Sequence, residues 1–257
     1  MKSHIVSRLH EIEEQFNIKI ILAVESGSRA WGFESPDSDY DVRFIYRHRF
    51  EKYLSVFPFR DVIDGQEIPI TPVDDYVGWD LKKALTLMEK GNPQLFEWIN
   101  SPIVYLKDEP CYLRLWEASN EYFSPVSSAM HYLHMARGNI HEFLEKGQAT
   151  IPSKKYFYIL RPLLAAMWVH KWNEHPPVEF ERLLSSEPLT PYQMNIIQIL
   201  LEQKRNGGEM GHINRVATID EFIFKIADYL ETMKNVLTPR EKPPIEFLDQ
   251  LFRDLIS

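Results

Sequence analysis

GSRAWGFESPDSDYDVR, residues 27–43, follows directly on the apolar run IKIILAVES at 18–26. A short run rich in β-branched residues that breaks into polar residues and glycine predicts a buried strand ending in a tight turn. Beyond the turn, SPDSDYDVRFIYRH alternates polar and apolar side chains and predicts a second strand. Asp39, Asp41 and Arg43 then take one face, and Tyr40, Val42 and Phe44 the other. Two carboxylates at i and i+2 on a strand point to the same side, and their mutual repulsion raises the cost of ionising both. A divalent cation relieves that repulsion, and Mg2+ suits carboxylates whose coordination is completed by substrate phosphates and water. Gly27 and Ser28 carry small side chains, so backbone N–H groups and a hydroxyl can approach phosphate oxygens without obstruction.

Upstream, Val6, Leu9, Ile12 and Phe16 recur at spacings of three and four and predict an opening amphipathic helix. Downstream, residues 50–60 read equally as helix or strand. EIPITPVDDYV predicts a short strand, irregular or at an edge because of its two prolines. GWDLKKALTLMEKGNP changes period: Leu81, Ala84, Leu85 and Met88 form one helical stripe, with Gly91 at its natural stop. QLFEWINSPIVY reads as a further helix followed by a turn. From about residue 104 strand signals disappear, and helices are predicted over 108–121, 126–146, 153–173, 190–204 and 219–236. Ser124-Pro125 and Thr190-Pro191 each supply an N-cap followed by proline at the first helical position. Thr218 with Glu221 resembles a capping box. The chain therefore reads as an α+β protein, with a strand-bearing domain over 1–105 and a helical domain over 106–257.

Composition bounds the function. With 257 residues, 44% hydrophobic and 26% charged, the chain can bury a full core. Its net charge of -8 does not favour nucleic acid or an acidic membrane as a partner of the whole surface. Cys111 is the only cysteine, which leaves no intrachain disulfide. The opening segment lacks a signal-peptide apolar stretch, and no run reaches the roughly 18 apolar residues of a membrane span. A cytoplasmic protein is expected. There is no G-x-G-x-x-G or Walker A pattern. His131, His134 and His141 have a spacing that could bind zinc, but no cysteine or glutamate set completes a site.

The ordered Gly-Ser turn, D-x-D strand and later carboxylates resemble the nucleotidyltransferase superfamily that includes DNA polymerase β and kanamycin nucleotidyltransferase. GSRAWGFESPDSDYDVR, GWDLKKAL, GNPQLFEWINSPIVY and KYFYILRPLLAAMWV are more specifically similar to the YcgL/RlaP-type predicted nucleotidyltransferases. The resemblance extends from about residue 20 to about 210. It implies a mixed-sheet N-terminal catalytic domain of nucleotidyltransferase type followed by a helical domain. It also implies catalytic and metal-binding roles for Asp39, Asp41 and a third carboxylate, placed at Asp75. Asp74 is its immediate neighbour and Asp80 lies in the GWDL string, so both compete for that assignment. Gly27, Ser28 and Arg29 are expected to hold the nucleotide's phosphates. Arg43 serves either phosphate or the two aspartates, and Trp31 and Phe33 either border a base or pack.

In the helical half, Lys154, Tyr158 and Arg161 fall within about 60° of one another at helical spacing and form a positive, hydrogen-bonding face. The expected partner of that face is a triphosphate or the acceptor, a reading the resemblance strengthens, with a plain solvated helix face as the alternative. Glu202 and Lys204 also fall at family-like positions, without an assigned role. The expected reaction moves a nucleoside monophosphate from a nucleoside triphosphate to an acceptor, with Mg2+ or Mn2+. RNA repair, implied by the resemblance, makes RNA one acceptor. A small hydroxylated molecule, a protein side chain, and a non-catalytic nucleotide-binding module are the alternatives. No feature argues for an obligate oligomer.

Overall fold

The apolar run is strand β1, Ile18–Glu25, buried at every position except Lys19. That burial suits a strand flanked on both edges. β1 lies antiparallel to β2, Tyr40–His48, on one side and to β5, Val104–Lys107, on the other. β2 pairs in parallel with β4, Asp74–Asp80, which is bordered by the two-residue β3, Val62–Ile63. The result is a five-stranded mixed sheet in the order β3-β4-β2-β1-β5. The structure, a computed structural model, describes residues 1–187, 189–207, 211–233 and 236–257.

Helix α1, Lys2–Phe16, packs Ile5, Leu9 and Ile12 into the core beside the sheet. Ile5, rather than the predicted Val6, completes the buried stripe. The helix ends at Asn17, whose φ of 49° is the left-handed cap conformation. A single turn, α2 (Gly27–Trp31), follows β1, and another, α3 (Phe50–Tyr53), follows β2. Pro69 and Pro72 cannot donate to a ladder, so pairing of β4 begins beyond them at Asp74. It continues through Gly78-Trp79-Asp80, which the periodicity had assigned to a helix. α4, Leu81–Glu89, starts only at Leu81, with Asp80 accepting from the Lys82 N–H at 2.8 Å as its N-cap. Leu81, Ala84, Leu85 and Met88 are buried as predicted, and Gly91 ends the segment at φ 67°. α5, Pro93–Ile99, and α6, Glu109–Glu121, flank β5 in sequence. β5 itself corrects the expectation that strands end near residue 104: four half-buried or exposed residues are too few to show a period.

The second unit is built on α8, Ser153–Trp172, whose side chains are buried almost all round. α7, Pro125–Ile140, precedes it, is capped by Ser124 as expected, and runs on into a π-helical turn at His141–Glu145. Two short strands, β6 (Thr150–Pro152) and β7 (His212–Asn214), pair within this unit and were not predicted. α9 (Phe180–Ser185) was also not predicted. α10 (Pro191–Gly207) has its predicted cap, the Thr190 hydroxyl accepting from the Gln193 N–H. α11, Ala217–Met233, begins before Thr218, whose hydroxyl is buried without a hydrogen-bond partner, so no capping box forms there. The Val216 N–H instead donates to the Tyr156 hydroxyl at 2.9 Å. Residues 234 and 235 of the predicted 219–236 helix lie outside the described residues.

The sequence divides less simply than 1–105 and 106–257. One compact unit comprises Met1–Ala30, Asp39–Phe123 and Glu241–Ser257; the other comprises Trp31–Ser38 and Ser124–Arg240. α12, Ile245–Ile256, belongs with the sheet, burying Leu248, Leu251, Leu255 and Ile256. A linear cut cannot register an internal loop or a terminal helix that packs with a distant part of the chain. No helix among the described residues is long and apolar enough to cross a membrane.

Candidate active site

The parallel register of β2 and β4 sets Asp41 opposite Asp75 and Tyr40 opposite Asp74. Because side chains alternate along a strand, a register pair in neighbouring strands shares a face. The contacts agree. The Arg43 guanidinium donates through Nη2 to Asp41 Oδ1 at 2.7 Å and to Asp75 Oδ2 at 2.9 Å. Its Nη1 donates to the backbone carbonyls of Asp75 and Val42 at 3.1 and 3.2 Å. All three side chains are largely shielded, at 14% exposure for Arg43, 26% for Asp41 and 19% for Asp75. Asp75 Oδ1 is buried without a hydrogen-bond partner.

The other two acidic residues weighed for this position are engaged elsewhere. Asp74 is buried, accepting from the Thr71 hydroxyl at 2.5 Å and the Tyr76 hydroxyl at 3.2 Å, with His4 3.6 Å away. Asp80 is fully buried, caps α4 and accepts from the Tyr53 hydroxyl at 2.8 Å. Burial holds its carboxyl above the ordinary value, with those hydrogen bonds opposing.

Asp39 lies just before β2 and is exposed, its carbonyl accepting from Arg29 Nε at 3.1 Å. The Arg29 guanidinium lies 3.8 Å from the centroid of the Tyr40 ring. Among the described residues no group of three or more histidine, cysteine, aspartate or glutamate side chains is arranged to hold a metal ion.

Gly27 has φ 61°, a conformation that favours glycine, and a Cβ built on it would overlap the Asp41 carboxylate. The turn and the D-x-D strand are thus in direct apposition, and Ser28 is buried beside them in sequence. The Ser26 N–H donates to the Asp41 carbonyl at 2.9 Å. From the other side, the Asp41 N–H donates to Glu25 Oε1 at 2.8 Å.

Glu25 was not singled out by the sequence reading. It is 1% exposed, and its Oε2 accepts from the Tyr105 hydroxyl on β5. Burial pushes its carboxyl up to about 7, against the lowering effect of the Tyr105 and Asp41 hydrogen bonds. The signal was present: a charged residue closes a strand that is otherwise apolar. Arg43's bridge was less legible, because it depends on which residue of β4 stands beside Asp41.

Lys154, Tyr158 and Arg161 belong to α8 of the helical unit. Arg161 is buried, its guanidinium 4.4 Å from the Trp31 ring centroid, and the Tyr158 ring meets Trp31 edge-on. Phe33 is fully buried against Phe157 and Phe180, with centroids 5.2 and 5.6 Å away. Lys204 is also buried, its Nζ 5.5 Å from the Phe33 ring. His141 pairs with Glu145, and the His131 ring packs on Tyr132.

Two hard oxygen donors on one sheet face, one of them with a buried, partnerless oxygen, fit a Mg2+ ion that keeps water and phosphate as its other ligands.

A model of the family described as RlaP, RNA repair pathway DNA polymerase beta family, matches residues 1–254. The uncharacterized protein YcgL of Bacillus subtilis (strain 168) is 44% identical over 223 residues, 87% of this chain and 84% of that protein. The crystal structure of a nucleotidyltransferase-like protein from Exiguobacterium sibiricum 255-15 aligns with 90% of this chain and 75% of its own, at 9% identity and a TM-score of 0.28. At that distance the likeness bears on neither fold detail nor function.

Proposed function

The chain belongs to the RlaP family, the RNA repair pathway DNA polymerase beta family, and on that premise we propose that it transfers a nucleoside monophosphate from a nucleoside triphosphate to an acceptor hydroxyl, with an RNA end as the acceptor. The observation that carries this reading is the pairing of Asp41 with Asp75 across β2 and β4, next to the Gly27-Ser28 turn. Asp41 and Asp75 would hold Mg2+ or Mn2+, and Asp39 is proposed as a further ligand on the family resemblance alone. Such an ion, when bound, supplies charge neutralisation at the transferring phosphoryl group and at the attacking hydroxyl.

The chain's own residues supply the rest. Backbone N–H groups and the hydroxyl of Gly27-Ser28 hold phosphate oxygens, and Arg29 offsets their charge. Asp75 Oδ1 receives the acceptor proton as the new oxygen–phosphorus bond forms at the α-phosphorus. The bond from that phosphorus to the bridging oxygen breaks, and pyrophosphate leaves. Lys154, Tyr158 and Arg161 are proposed as nucleotide contacts on the resemblance of the KKYFYILRP string alone.

The family's RNA repair context favours RNA over a small molecule or a protein. An overall charge of -8 means that an RNA end would be engaged locally, without whole-surface attraction. Incubating the protein with cell extract and α-phosphate-radiolabelled nucleoside triphosphates, followed by separate ribonuclease and protease treatment, tests the acceptor. Label removed by ribonuclease and retained after protease is the expected result. Protease-sensitive label would move the assignment to protein nucleotidylation.

A further inference from the structure

Arg43 is the one cation in contact with both Asp41 and Asp75 among the described residues, and its side chain is more deeply shielded than either carboxylate. One nitrogen, Nη2, serves both carboxylates, while Nη1 is fixed by two backbone carbonyls, those of Val42 and Asp75. A guanidinium held at four points is a preorganised fork with little freedom to swing away.

We propose that Arg43 is a positioning residue that acts as the built-in counter-cation of the site, making divalent metal bind weakly by itself and well only together with the nucleotide's phosphates. This rests on the reading of Asp41 and Asp75 as the metal-holding pair. The physical case is a balance of charge. Two carboxylates joined to one guanidinium carry a net single negative charge, half the attraction that a bare pair offers a divalent ion. At a few ångströms and in a partly shielded setting, one neighbouring unit charge is a large term. Triphosphate restores the balance, because its own negative charges meet both the incoming ion and Arg43. Meanwhile the fork keeps Asp41 Oδ1 and Asp75 Oδ2 on one side, which orients the partnerless Asp75 Oδ1 away from the guanidinium contact.

A purely structural Arg43 and a counter-cation give opposite signs in one experiment. Mn2+ binding is measured by electron paramagnetic resonance on the full chain, with and without a non-hydrolysable nucleoside triphosphate. Arg43→Gln keeps hydrogen-bonding capacity and removes the charge, and Arg43→Lys keeps the charge and loses the fork. Arg43→Gln is expected to bind Mn2+ alone at least about tenfold tighter than wild type, and Arg43→Lys, which keeps the charge, within about threefold of wild type. The nucleotide should tighten Mn2+ binding in wild type and Arg43→Lys more than in Arg43→Gln. Unchanged or weaker Mn2+ binding in folded Arg43→Gln would overturn the counter-cation and leave the metal-holding pair standing. If Arg43→Gln does not fold, Arg43→Lys decides: affinity for Mn2+ alone within about threefold of wild type is expected, and a change of about tenfold or more with the charge retained would overturn the inference. Absence of Mn2+ binding in wild type and variants alike, with nucleotide present, would overturn both this inference and the proposed metal-holding pair.

Discussion

The α-carbon of Gly27 lies against the carboxylate of Asp41, so closely that a methyl group there would overlap Oδ2. The same residue has φ 61°, and each fact alone argues for glycine. Gly27→Ala is therefore expected to cost stability and to displace Asp41. A methyl group at positive φ and in steric conflict destabilises by more than about 1 kcal/mol, a fall of several degrees in melting temperature for a chain of this size. Nucleotidyl transfer should fall much further than that loss of stability explains. Thermal melting paired with turnover at a temperature where the variant stays folded checks both; full turnover would show that the carboxylate has no fixed place to lose.

Glu25 links stability to pH. Its carboxyl stands at about 7 in the folded chain against an ordinary value of 4.5, because burial outweighs its two hydrogen bonds. Below pH 4.5 the group is protonated whether the chain is folded or not, and its folded-state environment imposes no charge penalty. As pH rises from 4.5 to about 7 only the unfolded chain ionises readily, so stability declines, by an amount on the order of 3 kcal/mol at most. Glu25→Gln removes the ionisable group. It keeps an oxygen for the Asp41 N–H and offers an N–H to the Tyr105 oxygen. The variant should melt above wild type at pH 8, with the gap closing toward pH 4.5. Denaturant melts across that range test the sign, and a variant less stable than wild type at pH 8 would contradict it.

The parts of this architecture legible in the sequence are those carried by a short, strong pattern. β1 is visible because its run is apolar on both faces. α4 is visible because Leu81, Ala84, Leu85 and Met88 keep one period. Ser124 and Thr190 announce their helices because a side-chain cap followed by proline is a local signal. What stayed hidden depends on partners distant in sequence. β5 is four residues long and recognisable only by its pairing with β1. The strand character of Gly78-Trp79-Asp80 comes from alignment with Phe44, Ile45 and Tyr46 of β2. Likewise, no spacing along the chain tells that Asp75, and not Asp74, faces Asp41.

Asp80 offers a contrast with Asp75. Its side chain ends on the Lys82 N–H and the Tyr53 hydroxyl, two contacts within the fold's framework. Asp80→Ala removes a helix cap and strands a buried hydroxyl, a loss of about 2–3 kcal/mol. Turnover below the lowered melting transition should stay within a few-fold of wild type. A folded Asp80→Ala protein without activity would assign Asp80 to the chemistry.

Phe33 sits between the turn and the D-x-D strand in sequence, yet it is fully buried among Phe157 and Phe180. Phe33→Ala is expected to cost about 3–5 kcal/mol, as for other buried aromatic truncations. Nucleotide KM at a permissive temperature should be unchanged. A raised KM with an unchanged melting temperature would instead mark Phe33 as a surface for the base.

The most direct test of the central claim is metal-dependent pyrophosphate release by Asp75→Asn, measured beside wild type with nucleoside triphosphate and RNA acceptor. The substitution keeps size and register but removes the charge and the proton-accepting oxygen that the Asp41–Asp75 pairing brings to the site. Metal support at a transferring phosphoryl group is worth several kcal/mol, and about 1.4 kcal/mol corresponds to tenfold in rate. The account predicts Mg2+-dependent release by wild type and at least a hundredfold less by a folded Asp75→Asn protein. Release at near-wild-type rate by that variant would contradict it.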